Sequence, residues 1–390
     1  MKKKEKITYA AVTTVEGSLR SFIIPALEQF DRNKYSIHLM CNMSEEFAKN
    51  YSDRYICTNI DFERGLHLRS TISAVFKIYK ILKKIDCDIV EYGTENAAMC
   101  ASIAAFFAGV PVRIYNHWGA RYVGFSGTTR LVSKTIEFIA ALFSTNVRQV
   151  STLNMEMCIK DGIYSRKKAK VLGKGGTVGV DFAKFDLGSK EDYRTQIRTQ
   201  YNIPENAFVY GFVGRIQRDK GIHELIDSFK KIYDADNNAV LMLVGNVDTK
   251  DPEDLERIKW AEECPNVIFT GRVFDVYRYM SAFDVMVHPT YREGFGMVLQ
   301  EAAALKTPII TTDIMGPGEF INNGVTGVLV PSKNTEALYT AMCEAKADTD
   351  KLKLFADNNY DYTITNFERS VMVNRIVEDR IDLLKKKNLI

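Results

Sequence analysis

The residues with the clearest chemical potential lie in segment 291–304, where a pair of glycines stands at a predicted change of secondary structure. The apolar run 284–289 ends in proline and predicts a buried strand that stops at a loop. The composition of 298–305 is typical of a helix. Gly294 and Gly296 therefore precede a helix start, where unpaired backbone N–H groups and the helix dipole favour an anion. We predict a phosphate-binding turn here.

Two carboxylates flank this turn. Glu293 precedes the predicted helix, and Glu301 lies about one turn inside it. Because helical side chains tilt toward the N-terminus, Glu301 can lean back toward a ligand held by the turn. Carboxylates beside a phosphate site are suited to accept hydrogen bonds from hydroxyl groups, of a ribose for Glu301 and of a sugar for Glu293. The alternative is a solvated Glu293 and a Glu301 that only interacts with the helix dipole.

Two cations form a second candidate group. Arg215 and Lys220 lie in loop 214–221, between a predicted strand at 208–213 and a predicted helix at 222–233. Open α/β sheets bind ligands at the carboxyl ends of their strands. A diphosphate leaving group needs positive charge where negative charge develops. The alternative is that both side chains are solvated, as most arginines and lysines are.

The elements that must position these residues follow an alternating pattern. Short β-rich runs alternate with helical patterns in both halves of the chain, which predicts parallel sheets with crossover helices. A length of 390 residues suits two domains. The glycine-rich segment 171–181 indicates a linker between domains 1–175 and 176–371. The predicted elements include strands at 7–12, 35–41, 88–92, 112–116, 238–244, 267–270, 308–311 and 327–330, and helices at 20–30, 97–109, 131–143 and 369–387.

Composition narrows the functional classes. The chain is 46% hydrophobic and 26% charged, which is typical of a soluble globular protein. A net charge of +3 gives no support for nucleic-acid binding. The seven cysteines are scattered without a C-x-x-C pair, which indicates reduced thiols in a cytoplasmic setting. We find neither a signal-peptide pattern nor a spanning apolar run, so we expect any membrane contact to be peripheral.

Four segments carry a resemblance to a known family. Residues 293–301 resemble the E-G-F-G-x-x-x-x-E signature of the family-4 retaining glycosyltransferases, which have the GT-B fold. Loop 214–221 is similar to the family's G-R-x-x-x-x-K-G loop, and 173–181 to its interdomain G-x-G-x-x-x-G-V-D segment. Residues 316–319 resemble a further loop that shapes the site. The implied fold class is α/β: two Rossmann-like, doubly wound parallel-sheet domains facing a central cleft, with helix 372–390 packed back on the first.

The resemblance also implies a reaction and its residues. Glu293 would contact the donor sugar, Glu301 the ribose, and Arg215 and Lys220 the diphosphate of a UDP- or GDP-linked sugar. The reaction would be sugar transfer to a hydroxyl with retention, and it would need neither a cofactor nor a metal. The remaining donor contacts would come from Gly214, Gly294, Phe295, Gly296, Met297 and Val298.

Two positions in the first domain leave alternatives open. Gly17 follows the first strand and is either a turn glycine or a backbone contact to phosphate. The family carries a glycine-rich loop here, whereas this chain has Glu16 where a second glycine is common. His117 ends a strand, where many family members place a catalytic-site histidine. Aligning on Gly119 would put Trp118 at that position, and a hydrogen-bonded structural role is the other interpretation of His117.

Two basic segments of the first domain indicate what kind of acceptor the protein uses. Helix 131–143 follows two arginines, and segment 64–84 holds basic residues and no acid. These segments are either solvated helix faces or surfaces for anionic lipid headgroups, which leaves peripheral attachment to the inner face of the plasma membrane open. With the linker resemblance they favour a polyprenyl-diphosphate-linked saccharide acceptor, as in capsule, exopolysaccharide or O-antigen assembly. The basic residues are Arg64, Arg69, Lys77, Lys80, Lys83, Lys84, Arg121 and Arg130.

Other activities are less well supported. D-x-D occurs at 86–88, 234–236 and 348–350, and three unrelated copies show how little this metal motif discriminates. The histidines show no metal-ligand spacing. An oxidoreductase is disfavoured because no G-x-G-x-x-G follows the first strand. Two alternatives remain: a GT-B-fold nucleotide-sugar 2-epimerase, which uses no acceptor, and a non-catalytic nucleotide-sugar-binding partner subunit of another transferase.

Overall fold

The computed structural model describes residues 5–63, 68–236 and 238–390, and the chain separates into two compact units. The N-terminal unit comprises Met1–Val178 and Ser370–Ile390, and the C-terminal unit comprises Gly179–Arg369. The chain first passes from the N-terminal to the C-terminal unit within the glycine-rich segment 171–181, which the sequence indicated as a linker.

The N-terminal unit is built on a parallel sheet. Within the described residues this sheet has seven strands in the order β3-β2-β1-β4-β5-β6-β7. The direction of travel across the sheet reverses between β1 and β4, which makes the gap between their carboxyl ends a topological switch point. The strands are β1 (Ile7–Val15), β2 (Tyr35–Asn42), β3 (Ile56–Asn59), β4 (Ile89–Tyr92), β5 (Val112–His117), β6 (Asn146–Gln149) and β7 (Ala169–Val171).

Helices cover both faces of this sheet. Connections that run in the same direction across a parallel sheet place their helices on the same face, because the crossovers are right-handed. One apolar core therefore joins the sheet to α4–α7, and a second joins it to α1–α3. The helices are α1 (Glu16–Phe22), α2 (Ile24–Leu27), α3 (Glu45–Tyr51), α4 (Leu68–Lys84), α5 (Glu95–Ala108), α6 (Gly127–Phe143) and α7 (Thr152–Lys160).

The single helix predicted at 20–30 is wrong. The structure forms α1 and α2 instead, with a break at Ile23, whose φ of −123° is not helical. Pro25 lies in the first turn of α2. Proline has no N–H to donate to the preceding turn, so it is tolerated at a helix start and interrupts a continuous helix.

The C-terminal unit repeats the same architecture. Its described part contains a six-stranded parallel sheet in the order β10-β9-β8-β11-β12-β13, with the switch point between β8 and β11. The strands are β8 (Phe208–Val213), β9 (Ala239–Val244), β10 (Val267–Gly271), β11 (Val285–His288), β12 (Ile309–Thr312) and β13 (Val328–Val330). The helices are α8 (Lys190–Gln200), α9 (Ile222–Ala235), α10 (Pro252–Glu263), α11 (Val276–Ser281), α12 (Met297–Ala304), α13 (Pro317–Phe320), α14 (Thr335–Ala347) and α15 (Thr349–Phe367).

The last helix, α16 (Arg369–Lys385), belongs almost entirely to the N-terminal unit. Leu383 and Leu384 are buried in the core formed with α1–α3. Each unit is thus a doubly wound α/β sheet, as predicted from the alternating sequence pattern. In the described ranges, no helix combines the length and apolar composition needed to cross a membrane.

Candidate functional site

The two predicted donor loops of the C-terminal unit meet at its switch point. One follows β8 and the other follows β11, and these strands are neighbours in the sheet. The Tyr291 N–H donates a 2.9 Å hydrogen bond to the Asp219 carbonyl, and the Thr290 hydroxyl donates to the same oxygen at 3.2 Å. The Arg292 guanidinium also lies 2.8 Å from the Asp219 carboxylate. The two loops therefore form one joined surface.

Glycines permit this close approach. Gly221 has a φ of +73°, and a Cβ there would lie 1.9 Å from the Pro289 carbonyl oxygen. Gly316 has a φ of +93°, and its Cβ would lie 2.7 Å from the Gly294 carbonyl oxygen. Both positions combine a left-handed backbone with a contact that excludes any side chain. The loop containing Gly316 thus packs against the glycine turn, and its role in shaping the site stays a prediction.

Lys220 and Glu293 contact each other directly at this surface. The Lys220 Nζ lies 2.6 Å from Glu293 Oε2, and both side chains are largely shielded from solvent. Burial alone would raise the pKa of Glu293, but the neighbouring Lys220 and His288 outweigh it and hold that pKa well below its usual range. The carboxylate is therefore ionised, and an ammonium group and a carboxylate stand side by side at the strand ends.

His288 is a member of this group that sequence reasoning missed, because it considered this histidine only as a metal ligand. The ring is buried and stacks on Phe212, with centroids 5.8 Å apart. Its Nε2 lies 3.6 Å from Glu293 Oε2, and within the described chain neither ring nitrogen has a hydrogen-bond partner. Burial lowers the pKa of His288. Its signal in the sequence was its place at the end of the strand that leads into Glu293.

Arg215 lies on the exposed side of the same surface. Its guanidinium pairs with Asp248 at 2.9 Å, and 56% of the side chain is accessible to solvent. Exposed ion pairs of this kind contribute about 0–1 kcal/mol, so the guanidinium can exchange Asp248 for a ligand anion at little cost. Gly214 lies between Arg215 and the last residue of β8.

The start of α12 carries the remaining predicted donor contacts. Gly296 precedes the first residue of the helix, Met297, and Val298 lies in its first turn. The side chain of Phe295 is buried against Phe320 and Phe367, so this residue anchors the turn. The helix start is thereby held in place by an aromatic core.

Glu301 lies one turn inside α12, as expected. Burial raises the pKa of this carboxyl to about 7, although Lys184 and Arg369 oppose the shift. In the described residues its carboxylate forms no hydrogen bond or ion pair. An ionisable acceptor without an internal partner is suited to receive hydrogen bonds from a ligand.

His117 occupies a different environment, inside the N-terminal unit. Its Nε2 lies 3.0 Å from Glu137 Oε2, and the Gln149 amide lies 3.1 Å from Nδ1. Burial would lower the pKa of His117, but Glu137 outweighs it and the pKa rises to about 10. A buried ring with hydrogen-bond partners at both nitrogens favours the structural interpretation. The adjacent Trp118 is half-buried and contacts Phe22, with ring centroids 4.7 Å apart.

Gly17 lies in the first turn of α1, directly after β1. Its surroundings are open, and a Cβ at this position would meet no atom of the described chain within 4 Å. The packing of the N-terminal unit therefore does not require glycine here. Glu16 beside it accepts hydrogen bonds from the Ser44 N–H and hydroxyl at 2.7 and 2.9 Å.

A buried charged cluster at the strand ends of the N-terminal unit was not predicted. Arg380 on α16 lies 2.9 Å from Glu91 on β4 and 2.9 Å from the Asn116 side-chain oxygen. The Arg148 guanidinium on β6 donates two hydrogen bonds to the Asp379 carboxylate, a bidentate ion pair at 2.8 and 2.9 Å. These partners are up to 289 residues apart, so no local pattern could reveal them.

Among residues 5–63, 68–236 and 238–390, no group of three histidine, cysteine or carboxylate side chains could hold a metal ion. His67, one of the histidines considered in the sequence, lies outside these residues, as does Arg64.

Comparison with known proteins identifies the family. Residues 193–362 match the family model "Glycosyl transferases group 1", and residues 14–153 match "Glycosyl transferase 4-like". The capsular polysaccharide biosynthesis glycosyltransferase CapM of Staphylococcus aureus is 32% identical over 80% of each chain. The UDP-Gal:α-D-GlcNAc-diphosphoundecaprenol α-1,3-galactosyltransferase of Escherichia coli is 26% identical over 98% of each chain.

A solved structure supports the same conclusion for the fold. Anabaena Alr3699/HepE, determined in complex with UDP, superposes with a TM-score of 0.79 at 20% identity over 97% of this chain and 100% of its own. The resemblance carried by the glycine turn and the Arg-Lys loop is thereby confirmed. The chain belongs to the group 1 and 4-like glycosyltransferases, which have the GT-B fold.

Proposed function

We propose that this protein moves a sugar from a nucleotide-diphosphate sugar to a hydroxyl of a polyprenyl-diphosphate-linked saccharide, with retention at the anomeric carbon, during surface polysaccharide assembly. The observation that carries the proposal is the Lys220–Glu293 contact at the switch point, beside the start of α12. This arrangement offers a cation and helix N–H groups to a diphosphate and a carboxylate to a sugar hydroxyl.

The proposed step needs no nucleophile from the protein. The acceptor oxygen forms a bond to the anomeric carbon while the bond from that carbon to the diphosphate oxygen breaks. The electron pair of the broken bond stays on the diphosphate, whose oxygen takes the acceptor's proton. Lys220, Arg215 and the backbone at 296–298 offset the negative charge that develops there. We propose that these groups replace a metal ion and that the reaction uses no cofactor.

The nature of donor and acceptor is supported by the relatives. The Escherichia coli relative is named for UDP-Gal and a diphosphoundecaprenol-linked acceptor, and the Anabaena structure contains UDP. We therefore favour a UDP-linked donor over a GDP-linked one, held by the C-terminal unit, and an acceptor held by the N-terminal unit. We place the reaction in the cytoplasm, where nucleotide sugars are made.

Product analysis tests the proposal against its alternatives. The protein is incubated with a panel of UDP- and GDP-sugars, with and without a short-chain polyprenyl-diphosphate saccharide, and the products are examined by NMR. A new glycosidic linkage with the donor's anomeric configuration supports the proposal. Conversion of the donor to its 2-epimer without acceptor would indicate the epimerase. Nucleotide binding without turnover of any donor–acceptor pair would indicate the non-catalytic partner.

Nucleotide binding supplies a separate prediction. UDP at about 100 times its dissociation constant should stabilise the protein by about 2.7 kcal/mol, and the Arg215→Ala variant should bind about tenfold more weakly because one charged hydrogen bond is lost. Thermal-shift titrations with UDP, GDP and NAD measure both effects. Equal affinity of the variant and the wild type for UDP would remove Arg215 from the diphosphate site.

Glu301 predicts a pH dependence of UDP binding. A pKa raised to about 7 means that the free carboxyl takes up a proton as the pH falls through 7, whereas a ribose diol requires the ionised acceptor. Affinity should therefore fall about tenfold from about pH 8 to about pH 6 through this group. Because the UDP phosphate also titrates, Glu301→Gln provides the comparison. An identical pH profile in Glu301→Gln would contradict the assignment.

A further inference from the structure

We propose that a cavity in the N-terminal unit receives the acetamido group of an N-acetylated amino sugar in the acceptor. We call it the α16 cavity, because Ile376 and Arg380 of α16 form part of its lining. The inference rests on the proposed function and deepens it, since it names the class of saccharide that the lipid carries.

The α16 cavity lies at the carboxyl ends of the strands. Glu91, Asn116 and Gln149 line it, each from the last two residues of β4, β5 or β6. Phe22 lines it from α1, which follows β1. Strands β1 and β4 flank the switch point, where open α/β sheets bind ligands. All the residues that line the cavity belong to the N-terminal unit.

The size of the α16 cavity suits one substituent of a sugar. Its volume is about 40 Å³. Because a water molecule needs about 10–15 Å³ of such space, the cavity holds about three waters or one small group. A whole sugar ring is larger, so the ring would stay at the edge of the cavity while one substituent enters it.

Two buried polar atoms of the α16 cavity lack partners. Arg380 is 3% exposed, and its Nε has no hydrogen-bond partner within the described chain. The Thr177 hydroxyl is buried and has no partner there either. Such groups are costly to leave unpaired, so they are normally satisfied by a ligand or by water. Since Arg380 Nε can only donate, the ligand atom that pairs with it is an acceptor.

Other parts of the lining are apolar. Ile23, Ala26 and Val150 are buried and line the same cavity. A hydroxyl substituent would pair with the polar atoms but leave these side chains without a contact. An acetamido group satisfies both kinds of lining: its carbonyl oxygen accepts from Arg380, its N–H donates to Thr177 Oγ, and its methyl group packs on the apolar side chains.

The charges around the α16 cavity favour a neutral substituent over an anion. Arg148 pairs with Asp379 at 2.8 Å, and Arg380 pairs with Glu91 at 2.9 Å. Two guanidinium groups are therefore matched by two carboxylates. The additional cation, Lys170, lies 3.6 Å from Asp379 and is 60% exposed, so water screens it. A carboxylate or phosphate substituent would add negative charge beside Glu91 without a buried cation to pair it.

Trp118 supplies a flat surface for the sugar ring. It lines the cavity and is half-buried. Its ring is held against Phe22, and a Cβ at Gly93 would lie 2.5 Å from it, so glycine permits this position. An indole ring fixed by packing offers a large apolar contact at little entropic cost. The ring of the amino sugar would pack on Trp118 while its acetamido group enters the cavity.

Binding of matched acceptors to the full chain tests the inference. The sequence contains two tryptophans, Trp118 and Trp260, so a Trp260→Phe protein has fluorescence from Trp118 alone. The probes are short-chain polyprenyl diphosphates that carry N-acetylglucosamine or glucose, and N-acetylgalactosamine or galactose. We expect each acetamido acceptor to bind at least about tenfold more tightly than its hydroxyl counterpart, because it adds a charged hydrogen bond and buries a methyl group. The titrations contain no donor and need no turnover.

Two variants test the cavity itself, and Arg380 is kept because it also holds α16. Thr177→Val preserves the shape of the side chain and removes the hydroxyl, whereas Ala26→Leu fills the cavity. Each should reduce the preference for the acetamido group to less than about threefold. Thr135→Val, at an exposed position on α6, is the matched control for Thr177→Val and should keep the full preference. An unchanged UDP thermal shift in every variant shows that it is folded.

Three outcomes would overturn the inference. They are equal affinity for acetamido and hydroxyl acceptors, a preference that both Thr177→Val and Ala26→Leu retain, and tighter binding of the matched glucuronic acid acceptor. A preference for acetamido acceptors in a protein that transfers no sugar from any donor would sustain the inference and contradict the proposed function. Sugar transfer without this preference would sustain the function and overturn the inference.

Discussion

Replacing Lys220 by alanine is expected to lower kcat/KM for sugar transfer by about 10²- to 10³-fold, the usual cost of removing a group that stabilises developing negative charge. Its ammonium lies 2.6 Å from Glu293 in the described structure. Loss of Lys220 removes the main cation that holds the pKa of Glu293 low, so that pKa should rise. When the solution is acidified, the variant should therefore lose its remaining activity at a higher pH than the wild type does.

The matched control for this prediction is Arg218→Ala. Arg218 lies in the same loop but is half exposed and pairs with Asp251 and Glu253 at 3.4 and 3.1 Å, away from Glu293. Steady-state kinetics with the donor identified by product analysis measure both variants. A Lys220→Ala enzyme as active as Arg218→Ala would show that Lys220 does not stabilise the leaving group.

Replacing Arg380 by alanine should destabilise the N-terminal unit by about 3–5 kcal/mol, because it breaks a buried ion pair and leaves the partner charge uncompensated. That partner is Glu91. In the variant its carboxylate would still accept hydrogen bonds from two neutral donors, the Tyr9 hydroxyl at 3.0 Å and the Asn116 amide at 2.9 Å. Burial raises the cost of an unpaired carboxylate there, and the two neutral donors offset only part of that cost. The loss should also loosen α16 from the sheet.

Hydrogen exchange during urea unfolding measures this effect unit by unit. Amides of β1, β4 and β5 report on the N-terminal unit, and amides of β8 and β11 report on the C-terminal unit in the same sample. Lys385→Ala, an exposed change on the same helix, is the control and should alter stability by less than about 0.5 kcal/mol. Equal protection of β4 in the Arg380→Ala variant and the control would mean that the cluster is stabilised by its other members.

Much of the fold follows from local sequence signals. The predicted strand 208–213 coincides with β8, and the apolar run 284–289 contains β11, because continuous apolar runs bounded by glycine or proline specify buried parallel strands closely. The predicted helix at 20–30 failed because its apolar periodicity continues through Pro25, where the backbone cannot. The terminal residues of the other elements moved by a few positions, since capping contacts decide helix ends.

The sequence by itself determined which loops carry the candidate donor residues. Glycine turns after apolar strands, and the spacing of Arg215, Lys220, Glu293 and Glu301, are local properties that the printed chain displays. Their proposed roles remain predictions.

Tertiary structure alone decided which groups touch. Lys220 and Glu293 are 73 residues apart and meet because β8 and β11 are neighbours in the sheet. The sequence places His117 at a strand end, but α6 covers it and supplies Glu137, which holds the ring in a buried hydrogen bond. Arg380 meets Glu91 across 289 residues. Such contacts depend on strand order and crossover direction, which fix distances between segments that no spacing along the chain encodes.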